Sequence, residues 1–155
     1  MVGMVLAASP VGAGCDRSKE ARGETMDPPT NAAAPQAADK FSEAAFELVL
    51  RPMGEYRVGQ TGRVDVVLGA KDPYHVNAEF PLTFKARTGT GVKYAREVVG
   101  KDAAKFEVKR ATVPVEFTPQ APGRSVVAGT LRFSVCNDQR CLIEKRELEL
   151  GIDVK

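Results

Sequence analysis

Two cysteines near the carboxyl end, Cys136 and Cys141, are the residues of this sequence whose type and spacing best suit chemistry. Four polar residues, 137–140, separate them. Such a pair can close a disulfide, supply two thiolates to a metal site or work as a redox dithiol. The two residues alone leave these interpretations open, and the strands that position them bear on the choice.

The strand pattern before the first cysteine predicts the direction of its side chain. Apolar residues occupy every second position from Leu131 to Val135, and successive side chains of a strand point to opposite faces. We therefore expect Cys136 to project away from the core. Residues 137–140 suit a tight hairpin, which would place Cys141 opposite Cys136 with Cα atoms about 4.5–5.5 Å apart. The pair is predicted to be able to form a disulfide near the surface, at a hairpin tip.

A disulfide between residues this close in sequence is expected to add little stability. The chain-entropy model gives about 2 kcal/mol for so short a loop, against more than about 4 kcal/mol for a loop of about 100 residues. An exposed disulfide of this kind is a candidate for reversible exchange, because an attacking thiolate can reach it. A purely structural disulfide is the competing interpretation, since secreted proteins also contain short-loop disulfides.

The histidine content limits metal chemistry. The chain has one histidine, His75, which excludes multi-histidine metal centres. Two thiolates and His75 would supply three ligands to zinc or copper, and the sequence offers no clear fourth. We therefore expect neither a metal nor another cofactor.

The segment after the second cysteine carries a conflict of register. Counting on in steps of two puts Glu144 and Arg146 on the same face as the leucines of this segment. A β-bulge would correct the mismatch. Alternatively, the hairpin projects beyond the folded domain with both faces wet, which would expose the disulfide further.

Alternating apolar residues recur along the chain and predict its fold class. Period-two alternation bounded by glycine and proline is typical of β-strands. Six or seven short strands in about 110 residues predict an all-β, two-sheet sandwich, with a small open barrel as the alternative. The alternating segments are 46–50, 64–68, 80–84, 113–117, 127–135 and 148–154.

Composition and charge exclude one class of partner. Hydrophobic residues make up 43% of the chain and charged residues 27%, which is ordinary for a soluble globular protein. The formal net charge is only +2, and no basic run concentrates on one segment. We therefore expect no nucleic-acid partner.

The amino-terminal segment resembles the end of a bacterial lipoprotein signal. Residues 1–14 are apolar and rich in small residues, and Cys15 follows directly. Residues 15–43 are polar and lack a hydrophobic period, which predicts a disordered linker before a domain at 44–155. We expect lipidation of Cys15 and a periplasmic protein of the bacterial cell envelope, anchored to a membrane by its lipid. A plain signal peptide is the alternative.

Two stretches carry a resemblance to a known family. The first is Gly129-Thr-Leu-Arg-Phe-Ser-Val-Cys136, with Cys141 leading into a final strand. The second is Asp72-Pro-Tyr-His-Val-Asn77. Together they resemble the N-terminal periplasmic domain of the DsbD family of thiol:disulfide interchange proteins, over roughly residues 44–155. The resemblance implies an immunoglobulin-like β-sandwich with a redox-active cysteine pair on a late hairpin, beside the segment 72–77.

The resemblance also implies an activity, an electron shuttle. The cysteine pair would accept electrons from a partner dithiol through a mixed disulfide and pass them to an oxidised periplasmic client. Cys141 would be attacked first, and Cys136 would resolve the mixed disulfide. The implied partners are thioredoxin-like redox proteins or other periplasmic thiol proteins. The candidate partner surface consists of Tyr74, Asn77, Asn137 and Asp138.

The sequence departs from the family at the loop that shields the cysteine pair, and a second function also fits it. The family's shielding loop has an aromatic tip, whereas its plausible counterpart here, residues 96–100, has none. The rival is a non-catalytic lipoprotein module for binding or assembly, in which the disulfide only braces the hairpin. The sequence thus predicts a thiol:disulfide oxidoreductase, with a structural disulfide as the alternative.

Overall fold

In a computed structural model of the protein, residues 37–155 are described. Within this range no helix is long and apolar enough to cross a membrane. The secondary structure consists of short and long β-strands. The strands are β1 (Lys40–Ser42), β2 (Phe46–Pro52), β3 (Gly62–Ala70), β4 (His75–Val76), β5 (Thr83–Ala86), β6 (Val92–Tyr94), β7 (Val98–Val99), β8 (Lys105–Glu107), β9 (Arg110–Pro119), β10 (Gly123–Cys136) and β11 (Cys141–Val154).

The strands form two antiparallel sheets. The first has the order β1-β2-β3-β9-β6, with β8 also paired to β9, and the second has the order β11-β10-β5-β7, with β4 also paired to β10. Apolar side chains from both sheets form one hydrophobic core between them. The domain is an immunoglobulin-like β-sandwich, and the predicted fold class is confirmed.

The strand β1 lies before the domain boundary predicted at residue 44. The strand β1 pairs with β2, with Ser42 opposite Glu47, and Phe41 packs against the core. Residues 40–42 therefore belong to the sandwich and not to the predicted linker. The predicted signal segment and the predicted lipidation site, Cys15, lie outside the described residues.

The segment around residues 80–84 is only partly a strand. Pairing with β10 starts at Thr83, opposite Arg132, although the apolar alternation begins at Phe80. The intervening Pro81 has no amide hydrogen to donate to a ladder, so the strand begins after it. Residues 77–82 instead form the connection from β4 to β5.

The strand β10 links the core to the cysteine hairpin. Its Phe133 is fully buried and meets Phe46 of the other sheet edge to face, with ring centroids 4.9 Å apart. The hydroxyl of Tyr94 donates to the carbonyl of Ala128 at 3.0 Å and accepts from the amide of the same residue at 2.8 Å. These contacts hold β10 from the opposite sheet, so the hairpin extends from a well-fixed strand.

The predicted conflict of register is resolved in a way that neither sequence alternative described. The β10–β11 pairing runs without a bulge from Gly123 opposite Val154 to the cysteine pair. The hairpin does not project from the sandwich, because Val135 is fully buried and Leu142 packs against the core. The guanidinium of Arg146 instead lies 5.5 Å from the ring centroid of Phe46 and pairs with Glu144 at 2.6 Å. This ion pair lies at the margin of the core on the inner face of β11.

The strand β11 is an edge strand within residues 37–155, and only part of its free side is covered. Ala38 accepts a hydrogen bond from the amide of Glu149 at 3.1 Å, and Tyr56 pairs with Val154. Backbone groups alternate in direction along a strand, so those of the odd-numbered residues in 143–147 point the same way as Glu149. No strand of the described chain pairs with them.

Candidate functional site

Cys136 and Cys141 form a disulfide at the last pair of the β10–β11 ladder. Their Cα atoms are 4.0 Å apart, less than the separation expected from the sequence. The next position outward is hydrogen-bonded, since the amide of Asn137 donates to the carbonyl of Arg140 at 2.9 Å. The cysteines are therefore a non-hydrogen-bonded pair, the kind at which antiparallel strands approach most closely.

The two sulfur-bearing residues differ in exposure. Cys136 points away from the core, as predicted, yet it is only 6% exposed, so one half of the disulfide predicted near the surface is buried. It is covered on that outer face, where β4 runs alongside β10 and the Ser134 hydroxyl lies 3.8 Å from the Cys136 sulfur. Cys141 is exposed. A thiol in solution therefore has access to the pair from the Cys141 side.

The segment 72–77 lies beside the cysteine hairpin. In the β4–β10 pairing His75 stands opposite Cys136, and the amide of Asn77 donates to the carbonyl of Ser134 at 3.0 Å. Directly opposed residues of neighbouring strands project to the same face. His75, Cys136 and Cys141 therefore form one row across three strands, with His75 exposed at its end.

Tyr74 connects this segment to the loop between the cysteines. Its ring is buried, and its hydroxyl accepts a hydrogen bond from Arg140 at 3.2 Å. Lys109 donates to the carbonyl of Tyr74 at 2.5 Å and to Asp72 at 2.7 Å. The hydrogen bond from Lys109 holds the pKa of Asp72 below its ordinary value. Tyr74 was a candidate for the partner surface, but its side chain is occupied within the domain.

Two asparagines of the candidate partner surface close loops. The Asn137 side-chain oxygen accepts hydrogen bonds from the amides two and three positions on, at 3.0 and 2.9 Å. Asn77 does the same in its own loop, at 3.0 and 3.3 Å. Such contacts are typical of asparagine in turns. Of the four candidates, Asp138 is the one whose residue is both exposed and free of hydrogen bonds within the described chain.

Replacing Asn137 by alanine is expected to loosen the cysteine loop. Two amides would lose their acceptor, and we expect the free energy of unfolding to fall by about 1 kcal/mol. Denaturant titration of the oxidised protein measures this change. Asp138→Ala is the matched control, since it removes an exposed side chain from the same loop, and its effect should stay within about 0.5 kcal/mol. Equal losses for the two variants would contradict the assigned role of Asn137.

The residues predicted as a counterpart of a shielding loop lie elsewhere. Within residues 96–100, β7 pairs with β5, which separates it from β10 and the cysteines. The connection 77–82 runs beside β10 instead, and its Phe80 lies 5.3 Å below the guanidinium of Arg132. The correction follows from sheet order, which the local sequence of 96–100 does not encode.

The described part of the chain does not bring together the side chains that a metal site needs. Residues 37–155 contain no group of three or more histidine, cysteine, aspartate or glutamate side chains arranged to hold a metal ion. His75 and the two cysteines form a row, but the sulfurs are joined to each other. The chemistry that this arrangement supports is that of the disulfide itself.

Sequence reasoning missed a group of basic residues on the outer face below the disulfide. Lys85, Arg132 and Lys145 come from three different strands and line one groove. The alternation along each strand predicts that each of these residues faces outward, since each occupies a polar position. Their convergence depends on the pairing of β5 with β10, a contact between distant parts of the sequence.

Comparison with known proteins shows only distant likeness. No protein-family model matches the sequence, and no curated protein matches it. A cohesin module from a family 33 glycoside hydrolase of Clostridium perfringens ATCC13124 is 11% identical, covers 72% of this chain and 97% of its own, and gives a TM-score of 0.39. The major subunit of aggregative adherence fimbriae type I from Escherichia coli is 10% identical, with 71% and 95% covered and a TM-score of 0.37. At these scores neither structure supports an argument about function.

Proposed function

We propose that this domain exchanges disulfides with other thiol proteins through Cys136 and Cys141. The observation that carries the proposal is the unequal exposure of the pair, with Cys141 open to solvent and Cys136 buried beside it. Exchange requires that a thiolate reach one sulfur of the disulfide and that the other sulfur leave. The exposed Cys141 side satisfies the first requirement.

In the proposed reaction a partner thiolate attacks the sulfur of Cys141. The bond between Cys141 and Cys136 breaks, a mixed disulfide forms, and Cys136 leaves as a thiolate that takes a proton from solvent. A second thiol of the partner then attacks the partner's own sulfur and releases Cys141. Two electrons have moved from the partner dithiol to this domain. The reduced pair delivers them to an oxidised client by the same steps in reverse.

The hairpin is built so that reduction would leave it folded. Fourteen residue pairs join β10 to β11, and Asn137 closes the loop without help from the sulfurs. The disulfide itself contributes only about 2 kcal/mol in the chain-entropy model, because its loop is so short. A domain that keeps its shape in both states can present the same surface to donor and client.

The proposed setting is the periplasm of a bacterium. The support for it is in the sequence, where small apolar residues precede Cys15 and the remaining two cysteines make an even pair. In this setting a lipid on Cys15 anchors the chain to a membrane. The partners are thioredoxin-like proteins or other periplasmic thiol proteins.

The reduction potential of the pair tests the proposed function. The full chain with Cys15→Ala, which leaves two cysteines, is equilibrated in glutathione or dithiothreitol buffers, and its free thiols are trapped and counted. We expect a reduction potential of about −200 mV, in the range of proteins that exchange disulfides. A value below about −300 mV would identify a structural brace and favour the binding or assembly module.

A further inference from the structure

The outer face of the second sheet continues from the disulfide into a groove. Register places Arg132 of β10 between Thr83 of β5 and Lys145 of β11, all on the face that bears the cysteines. The groove has a volume of about 520 Å³. We call it the basic groove, and its lining includes Thr83, Lys85, Arg87, Thr130, Arg132 and Lys145.

The charges of the basic groove are unbalanced. Lys85, Arg132 and Lys145 are exposed, and none of them has a carboxylate within 4.0 Å in residues 37–155. Arg87 is the exception, since it pairs with Glu149 at the far end from the disulfide. Unpaired cations grouped on one face attract an anionic partner and speed its association.

Two acidic residues beside the basic groove, Glu147 and Glu149, lie farther from the disulfide than Arg132 and Lys145 do. Glu147 stands opposite Thr130 on the edge strand, next to the Arg87–Glu149 pair. The cations nearest the disulfide are Arg132 and Lys145, which stand opposite each other one row closer to the cysteines. The positive end of the groove is therefore the end that adjoins the reactive pair.

The outer face of β11 presents three kinds of chemistry at regular intervals. Cys141, Ile143 and Lys145 are two residues apart and project to the same side. Ile143 is 60% exposed, which leaves an apolar contact between the sulfur and the cation. Four residues of a strand span about 14 Å, so an extended segment laid beside them would meet sulfur, then an apolar surface, then positive charge.

We propose that an acidic, extended segment of the partner thiol protein docks along this face. This inference rests on the proposed function and specifies the partner's chemistry. The partner carries an apolar residue two positions from its reactive cysteine and an aspartate or glutamate four positions from it. That spacing matches Cys141, Ile143 and Lys145, with Arg132 adding a second positive charge beside the carboxylate.

Short thiol peptides test the inference. The probes are Cys-Ser-Leu-Ser-Glu-Ser and its glutamate-to-lysine counterpart, both with blocked ends and both also made in reversed order. Each peptide, in excess, attacks the disulfide of the oxidised full chain carrying Cys15→Ala and forms a mixed disulfide with release of one protein thiolate. The rate of this first step is divided by the rate of the same peptide with hydroxyethyl disulfide, a neutral reference. At about 10 mM ionic strength the Debye length is about 30 Å. In the sequence order that reacts faster, we expect the glutamate peptide to react about three-fold faster than its lysine counterpart, or more.

Salt and charge reversal identify the source of the preference. At about 1 M salt the Debye length falls to about 3 Å, and the ratio should approach one. The double variant Arg132→Glu with Lys145→Glu should favour the lysine peptide. Lys93→Glu, an exposed residue of the other sheet, is the matched control and should leave the ratio unchanged. Equal rates for the two peptides on the unaltered domain would overturn the docking inference, even with a potential in the exchange range.

A separate readout keeps the two proposals distinguishable. The glutamate peptide with serine in place of cysteine cannot exchange, and its binding is followed by NMR chemical shifts. Shifts centred on Ile143 and Lys145, lost in the double variant, would support the docking surface even where the potential argues against exchange. The absence of shifts at millimolar peptide, or equal shifts with the lysine peptide, would overturn it.

Discussion

The variant Cys136→Ser is expected to react with Ellman's reagent about ten-fold faster than Cys141→Ser, or more, both in a Cys15→Ala background. The first variant keeps the exposed Cys141 thiol, whereas the second keeps a thiol that is only 6% exposed and lies beside β4. Thiol reactivity requires access as well as thiolate character. Rates are read at neutral pH in native buffer. In denaturant the two rates should converge, which serves as the control for intrinsic reactivity.

The same pair of variants tests which cysteine forms the mixed disulfide. Both should lose turnover, because exchange needs two thiols, but Cys136→Ser should accumulate a stable mixed disulfide with an oxidised client. Cys136, the thiol that would attack this mixed disulfide and release the client, is absent from that variant. Mass spectrometry of the trapped species measures the difference. Similar trapping by both variants would mean that the buried cysteine is reached as easily as the exposed one, and the proposed order of attack would then be wrong.

Phe133→Ala is expected to lower the free energy of unfolding by about 3–5 kcal/mol. The ring is fully buried and joins the sheets through Phe46, so its removal leaves a cavity and ends the aromatic contact. Total stabilities of small domains are about 5–15 kcal/mol, so this loss would bring the domain close to unfolding. Denaturant titration measures it in the oxidised protein.

The control for this prediction is Ile143→Ala on the neighbouring strand. Ile143 is a large apolar residue too, but it is 60% exposed, and we expect its removal to change stability by less than about 0.5 kcal/mol. A loss of under about 1 kcal/mol for Phe133→Ala would contradict the description of Phe133 as a bridge between the sheets. It would indicate a core that closes over the missing ring.

Local pattern was sufficient for the fold class and for the cysteine pairing. Alternation at residues such as Leu48, Val115 and Phe133 shows which face of each strand is buried. Strands with one buried face form two sheets that pack against each other, which is a sandwich. The pairing of Cys136 with Cys141 could be predicted from the length of the loop between them and from the alternation of side chains along the strand. Both are local features of the sequence.

Contacts between distant segments account for what the sequence did not reveal. Cys136 was expected near the surface, and it is buried, with β4 paired beside it. Tyr74 was placed on the partner surface, and its ring is buried with its hydroxyl bound to Arg140. Strand alternation gives the direction of a side chain but says nothing about which remote segment lies over it. The basic groove escaped detection for the same reason.

The side of β11 that no strand of residues 37–155 covers is a potential site of self-association, which its charged residues oppose. The outward amides and carbonyls within residues 143–147 are a template on which another copy could add a strand. Glu144, Lys145 and Arg146 lie in the same stretch, and natural edge strands use charged residues to prevent such pairing. Conditions that neutralise or screen these charges should therefore promote edge-to-edge dimers. Because that stretch begins two residues from Cys141, dimerisation would also crowd the exposed sulfur, so solubility and reactivity should decline together.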